Sequence, residues 1–382
     1  MIQAIQRTLL NDSASETYAR ELLQRANVTV GGDRPWDIQV HNPRFYTRVL
    51  RDGSLGFGES YVDGWWDSAA LDETMTKLLA ARLDVAVRAS WQMTAHVLRA
   101  KVLNLQSVVR AFEVGEKHYD VGNDLYEAML DKRLVYTCAY WKNATTLDAA
   151  QEAKLDLICR KLDLRSGMTI LELGCGWGGF AKFAAENYGV TVTGYTVSKE
   201  QVALATERCA GLPVTIHLAD YREASGTYDR VVSIGLMEHV GYKNYGTYME
   251  LVDRCLAPGG IAFVHTIAGN KSETAVEPWF HKYIFANALL PSLTQLGAAI
   301  EERFSLEDLH NIGAHYDPTL MAWHANFEAA WPRLASKYGE RFRRMWRYYL
   351  LSSAAGFRAR YCQLYQMVLT RIGTPPPDCR KS

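Results

Sequence analysis

Thr169-Ile-Leu-Glu-Leu-Gly-Cys-Gly-Trp-Gly-Gly179 reads as a buried strand ending in a glycine turn, with a helix beginning at Phe180 immediately after. Glycine lacks a Cβ, so such a backbone turns sharply and lies close against a ligand, while the first helical amides point at whatever is bound. Gly174, Gly176 and Gly179 spell G-x-G-x-x-G, which by itself suggests a dinucleotide. A dinucleotide site also needs Asp or Glu about 20 residues further on, to hold the ribose hydroxyls. Here the second strand ends Gly194-Tyr-Thr-Val-Ser198, without a carboxylate. The acids stand elsewhere, at Glu172 inside the first strand and at Asp220 after the third, where Tyr221 follows. A second set of side chains can hold or move protons. Tyr136-Thr-Cys-Ala-Tyr-Trp141 precedes the strands, Glu238-His-Val-Gly241 follows the fourth, His265-Thr-Ile267 ends the fifth, and Gly313-Ala-His-Tyr-Asp317 lies beyond. Cysteine is commonly a small buried hydrophobe, so Cys138 taken alone reads as core. Glu238 and His265 sit just past buried strands, where an unpaired polar group is costly, and this favours a role for them. His239 reads as a structural neighbour of Glu238.

These residues need a frame. Strand patterns at 168–174, 190–196, 213–219, 228–235 and 259–267 alternate with helical segments, which predicts a parallel, doubly wound sheet. Ligands of such sheets sit at the carboxyl ends of the strands, so each strand end is a candidate site position. Ahead of the sheet, residues 16–26 read as a helix, 37–40 as a short strand and 43–50 as a helix, with Gly53, Gly56 and Gly58 then breaking the chain. A long helical stretch from about Leu71 to Ala111 follows. The pattern predicts a small, mostly helical N-terminal domain over 1–105, a linker over 106–116 and a catalytic domain over 117–382. The tail Gly373-Thr-Pro-Pro-Pro-Asp-Cys-Arg-Lys-Ser382 reads as disordered.

The placement of the acids around the glycine turn resembles the class I S-adenosylmethionine-dependent methyltransferases. The resemblance implies a Rossmann-like α/β methyltransferase domain, with Glu172 near the methionine ammonium and Gly174 and Gly176 beneath the methionyl moiety. It also implies Asp220 facing the adenine amino group with Tyr221 alongside, leaving Thr196 and Gln201 to serve the ribose. Further stretches are more specific: Gly58-Glu-Ser-Tyr-Val-Asp-Gly-Trp-Trp66, His118-Tyr-Asp-Val-Gly-Asn-Asp124, the 136–141, 238–241, 265–267 and 313–317 segments, and Gly356-Phe-Arg-Ala-Arg360. In order, from residue 16 to 371, they resemble the bacterial cyclopropane-fatty-acid synthases. Thr137 replaces a usual serine and keeps the hydroxyl, and Ala268 stands where glycine commonly follows His-Thr-Ile. The N-terminal domain points to the type of synthase that modifies intact, unsaturated membrane phospholipids.

The implied chemistry calls for these residue types. A cis double bond is a poor nucleophile and must meet the sulfonium methyl in a dry, aligned pocket. Methyl transfer leaves a carbocation, which aromatic faces stabilise without capturing it. A proton must then leave the new methyl for the ring to close, and a strong nucleophile beside the cation would itself be alkylated. The resemblance implies a bound bicarbonate ion as the base, caged by Cys138, Glu238, His265, Tyr316 and the backbone of Ile267. It implies that Tyr136 and Thr137 close over S-adenosylmethionine, and His118 reads as orienting that segment.

Bulk properties narrow the alternatives. Lys plus Arg equals Asp plus Glu at 42 each, so no global field exists to capture nucleic acid. The seven cysteines are scattered, form no C-x-x-C or zinc-ligand spacing, and suit a reducing cytoplasm. No run of about 18 apolar residues exists to span a membrane, so docking on the inner face is expected to be peripheral. Phe342, Met345, Trp346, Tyr349 and Leu350 form one helical stripe flanked by Arg341, Arg343, Arg344 and Arg347. It reads either as a membrane-surface helix or, more commonly for such a stripe, as a core-facing helix with a solvated basic side. The segment Arg88 to Arg110 is a similar candidate, and the resemblance implies a homodimer. A nicotinamide oxidoreductase would lack its ribose acid, and a lipid-binding protein without catalysis would need no cage.

Overall fold

The computed structural model describes residues 12–83 and 122–381. The linker at 106–116, the Arg88–Arg110 segment, His118 and the far end of the helix expected to reach Ala111 lie outside the described residues. The chain divides into two compact units. One takes the described residues up to 83 with Ala275–Ala286 and Leu320–Tyr361; the other takes 122–274, Asn287–Thr319 and 362–381. This division differs from the contiguous one expected from sequence, because two later segments are drawn into the N-terminal unit.

Side-chain pairing explains why those segments belong there. Glu59, in the helix Arg44–Val62, accepts from Lys282 Nζ at 2.5 Å, Tyr283 Oη at 2.8 Å and Arg48 Nη2 at 2.5 Å. Arg344 donates to the carbonyls of Tyr61 and Trp66 at 2.7 and 3.0 Å and to Asp67 at 2.7 Å. Around these polar ties, Phe45, Phe57, Tyr61 and Trp66 pack ring on ring, and Tyr348 meets both Tyr61 and Trp279. A two-residue ladder, β1 (Gln39–Val40) against β2 (Trp66–Asp67), closes the small sheet of this unit. The glycines expected to break the chain do not: only Gly53 leaves helical geometry, as a kink, and the helix runs on to Val62. Gly58 is there for space. A Cβ would lie 2.6 Å from Nε1 of Trp279, whose ring is 1% exposed and has nowhere to move. Gly58→Ala is expected to destabilise by about 2 kcal/mol, read as a lower melting temperature, whereas an unchanged value would mean the ring can shift.

The stripe at Phe342–Leu350 faces the core of this unit. Trp346, Tyr349 and Leu350 are buried, and all four arginines are ion-paired: Arg341 with Asp63, Arg343 and Arg347 with Glu328, and Arg344 with Asp67. Its helix, Tyr316–Arg358, is kinked at Gly339.

The second unit is built on a seven-stranded sheet. β3 (Thr169–Leu173), β4 (Thr191–Thr196), β5 (Val214–Leu218), β6 (Tyr228–Ile234) and β7 (Leu256–Gly269) are mutually parallel, and all five were expected. β8 (Phe304–Asn311) and β9 (Cys362–Arg371) were not, and they pair antiparallel in the order β5-β4-β3-β6-β7-β9-β8. Both faces of the sheet are covered. Leu171, Val231, Val264 and Leu369 join one apolar cluster, and Ile170, Val232, Phe263 and Val368 join the other. Continuous apolar strands are what two covered faces require. The tail is not loose: Cys379 is buried in the second cluster. Strand order reverses at β3, between β4 and β6, and that switch point is where ligands of such sheets bind.

Candidate active site

Glu172 sits near the carboxyl end of β3, fully enclosed, with Oε2 lacking any hydrogen-bond partner. Burial pushes its carboxyl up to about 8, opposed by the charge of Lys154 and by the Ala181 amide. Two residues on, the glycine turn begins. Gly176 has φ +54°, and a Cβ there would meet nothing within 4 Å, so the turn offers bare backbone beside open space. Trp177 of the same turn is hydrogen-bonded to Asn123 at 3.1 Å and packs on Tyr126 at 4.7 Å, and Tyr126 meets Tyr136 edge-on at 5.2 Å. The aromatic chain therefore ties the 136–138 segment to the turn. An orphaned, buried carboxylate beside a bare backbone cradle fits an amino-acid ammonium, as the methionyl end of S-adenosylmethionine requires.

The other expected cofactor contacts are differently engaged. Thr196 and Gln201 are bonded to each other, Oγ1 to Oε1, at 2.6 Å. Asp220 caps the short turn Tyr221–Glu223 and holds Arg222 Nη1 at 3.2 and 3.1 Å through its two oxygens. The Tyr221 ring is committed to the core, edge-on to Tyr248 at 5.7 Å, with its hydroxyl unpartnered.

The Glu238 carboxylate meets the strand that carries His265. Glu238 lies on the one-turn helix Met237–Val240 after β6, and its Oε1 accepts the Ile267 N–H of β7 at 2.6 Å. That bond occupies the amide expected to serve the cage. Glu238 Oε2 is left buried and unpartnered, and burial raises the carboxyl to about 7. His265 stands two residues before Ile267, so both lie on one face of β7. Its Nδ1 lies 3.5 Å from Gln366 Nε2 across the β7–β9 ladder, and its Nε2 has no partner. Burial, helped by Lys154 and Lys161, holds the ring well below the usual imidazole range and hence neutral. A donor at Nδ1 places the ring proton on Nε2.

Cys138 and Tyr316 arrive on neighbouring segments stitched together. Thr319 Oγ1 accepts from the Ala139 amide at 3.2 Å and from Trp141 Nε1 at 2.9 Å, while the Trp141 amide donates to His315 Nδ1 at 3.1 Å. The Cys138 thiol is enclosed and donates to the Ala139 carbonyl at 3.3 Å. Burial pushes it up, so it stays a neutral thiol. Two observations join these segments to the Glu238 group. A Cβ on Gly235, three residues before Glu238, would come within 3.0 Å of Thr137 Cγ2, and the charge of Lys154 acts on Cys138, Glu172 and His265 alike. Burial pulls His239 down to about 4, and it remains a neutral neighbour of Glu238.

Three polar residues of this site escaped the sequence reading. Gln151 and Lys154 are fully buried in the helix Leu147–Lys161, and Gln366 is fully buried in β9. The signal for the first two was present: Lys154 falls at i+4 from Ala150 and i−4 from Ile158, on the apolar face where a lysine has no solvent.

A family model described as mycolic acid cyclopropane synthetase matches residues 106–367. The chain is 52% identical over 353 residues to the cyclopropane-fatty-acyl-phospholipid synthase of Escherichia coli strain K12, covering 92% of each. It is 33% identical to a tuberculostearic acid methyltransferase of Mycobacterium tuberculosis, over 97% of this chain and 92% of that protein. Among solved structures it resembles the cyclopropane synthase MmaA2 from Mycobacterium tuberculosis, with a TM-score of 0.63 at 29% identity, covering 68% of this chain and 97% of that one. A mycolic acid cyclopropane synthase complexed with SAH and CTAB gives a TM-score of 0.63 at 30% identity, with coverage of 68% and 97%. A buried carboxylate at a glycine turn, and a second buried carboxylate held by the Ile267 amide two residues from His265, are thus found in a chain that belongs to the mycolic acid cyclopropane synthetase family of S-adenosylmethionine-dependent methyltransferases.

Proposed function

We propose that the chain adds a methylene from S-adenosylmethionine across the cis double bond of an unsaturated acyl chain in a membrane phospholipid, closing a cyclopropane ring with bicarbonate as the base. The observation that supports this most is the pair of buried, unpartnered atoms Glu238 Oε2 and His265 Nε2, in the unit that also holds Glu172 and the glycine turn. Unpaired buried polar atoms are costly unless a ligand completes them. A small oxyanion carrying one O–H suits them, accepting from His265 Nε2–H and donating to the Glu238 carboxylate. Glu238, raised to about 7 by burial, can share a proton with such an anion and so avoid two full negative charges at contact.

S-adenosylmethionine, when bound, supplies an electrophilic methyl group, and bicarbonate supplies a weak base. The residues around them are suited to a transient cation on the lipid. The Cys138 thiol and the His265 ring are kept neutral by burial, and Glu238 is engaged by the Ile267 amide. The same reading makes the protein a cytoplasmic homodimer that docks peripherally on the inner face of the membrane. Among the described residues, no helix is long and apolar enough to cross a membrane.

The test is incubation with S-adenosylmethionine, bicarbonate and vesicles of unsaturated phospholipid, followed by mass spectrometry and NMR of the released acyl chains. Cyclopropane proton signals are expected, and to be lost when bicarbonate is removed. A branched or methylene-bearing chain would instead support ring-free methyl transfer, the reading suggested by the likeness to the tuberculostearic acid methyltransferase.

A further inference from the structure

Residue 137 is gripped from three sides. Gln151 Nε2 donates to its carbonyl at 2.8 Å and also to the Val135 carbonyl at 3.2 Å. Lys154 Nζ, one helical turn along, donates to its hydroxyl at 2.9 Å. Gly235, with φ +77°, leaves room for its methyl, since any Cβ would press on Thr137 Cγ2 at 3.0 Å. Both gripping side chains come from the helix Leu147–Lys161 and are fully buried.

Stability does not account for the lysine. A buried ammonium carries a desolvation cost of several kcal/mol, and replacing buried charges by apolar groups of similar volume is often neutral or stabilising. Thr137 Oγ1 is the one side-chain acceptor that Lys154 meets at hydrogen-bond distance among the described residues, while Asp131 acts on it through its charge. The residues on either side of Thr137 are Tyr136, packed edge-on to Tyr126 of the glycine-turn aromatic chain, and Cys138 of the cage. Fixing both the carbonyl and the hydroxyl of one residue fixes the directions in which its two neighbours leave the backbone.

We propose that Gln151 and Lys154 are positioning residues for methyl transfer: a two-point clamp on Thr137 that holds the Tyr136 ring and the Cys138 thiol in register with the glycine turn and the Glu238–His265 pair. The clamp rests on the methyl-transfer reading given above. It gives the hydroxyl at position 137 a purpose as the acceptor for Lys154, which serine would serve and valine would not.

The test compares Lys154→Met, Thr137→Val, their double variant and Thr137→Ser, following S-adenosylhomocysteine release from S-adenosylmethionine with phospholipid vesicles. Lys154→Met and Thr137→Val are each expected to lower kcat about 100-fold, the usual cost of misplacing a reacting group by an ångström. KM for the methyl donor should change by less than kcat, and the melting temperature of Lys154→Met should hold or rise. The double variant should fall no further than the weaker single, and Thr137→Ser, which keeps the acceptor for Lys154, should recover most of the kcat that Thr137→Val loses. Wild-type kcat in either hydroxyl-less or lysine-less variant would overturn the clamp, as would losses that multiply in the double variant. If Lys154→Met does not fold, Thr137→Val, which removes no charge, still decides the matter. S-adenosylhomocysteine release is read independently of the lipid product, so a wild type that releases it without forming a ring overturns the proposed ring closure and not the clamp.

Discussion

Glu238→Gln is expected to reduce turnover about a thousandfold, within the range that a general acid–base group contributes. The substitution keeps the shape, because a glutamine oxygen can still accept the Ile267 amide that Oε1 holds at 2.6 Å. What disappears is the ability of the second, unpartnered oxygen to accept a proton. Burial raises this carboxyl from 4.5 to about 7, so wild-type activity should climb as pH rises through 7, and the variant should lack that limb. Stability moves the other way. Between pH 4.5 and 7 the unfolded chain gives up this proton while the folded chain retains it, so stability falls across that window and the loss is complete above 7. The loss is on the order of 3 kcal/mol at 1.36 kcal/mol per pH unit. Glu238→Gln should therefore melt at a higher temperature than wild type at pH 8 while being nearly inactive. Turnover equal to wild type, or a lower melting temperature at pH 8, would remove Glu238 from its assigned place.

The second large effect is on binding. Glu172→Gln should weaken S-adenosylhomocysteine binding by about 100-fold or more, since truncating one partner of a buried charge pair costs about 2–5 kcal/mol. Its unpartnered oxygen is the enclosed acceptor next to the glycine turn. Because burial pushes the carboxyl up to about 8, the ligand ammonium must displace a proton at neutral pH. Wild-type affinity should accordingly rise between pH 6 and about 8, and calorimetry in buffers of different ionisation enthalpy should show proton release that the variant lacks. Equal affinity in wild type and variant would move the ammonium site elsewhere. The two substitutions are expected to separate the halves of the site: the first spares cofactor binding, the second weakens it.

The residues expected at the adenosine end of the cofactor are engaged otherwise than their types alone suggest. A carboxylate after β5 was legible as Asp220, yet the structure places both of its oxygens on Arg222, a residue with no distinguishing local signal. Thr196 and Gln201 were legible as polar residues near a strand end, and they are bonded to each other. Motifs report which residue types stand near a ligand. They do not report how neighbouring side chains share out the available hydrogen bonds.

The same division runs through the whole chain. Local pattern was enough for the five parallel strands and the glycine turn, because strand periodicity, a missing Cβ and a helix start are properties of adjacent residues. Glu238 and His265 stood out as polar types just past buried strands, whereas Cys138 and Tyr316 became candidates only through the family resemblance. Only the tertiary structure decided what depends on distant partners. It added β8 and β9 to the sheet, which sets Gln366 against His265, and it drew 275–286 to Glu59 and 320–361 to Tyr61 and Asp67. It turned the Phe342–Leu350 stripe toward the core with its arginines ion-paired, and it brought Lys154 to Thr137, 17 residues away. Antiparallel pairing, burial of a charge and the pairing of a guanidinium are settled by which surfaces meet in space. Hydrophobic spacing along the chain constrains that meeting and does not specify it.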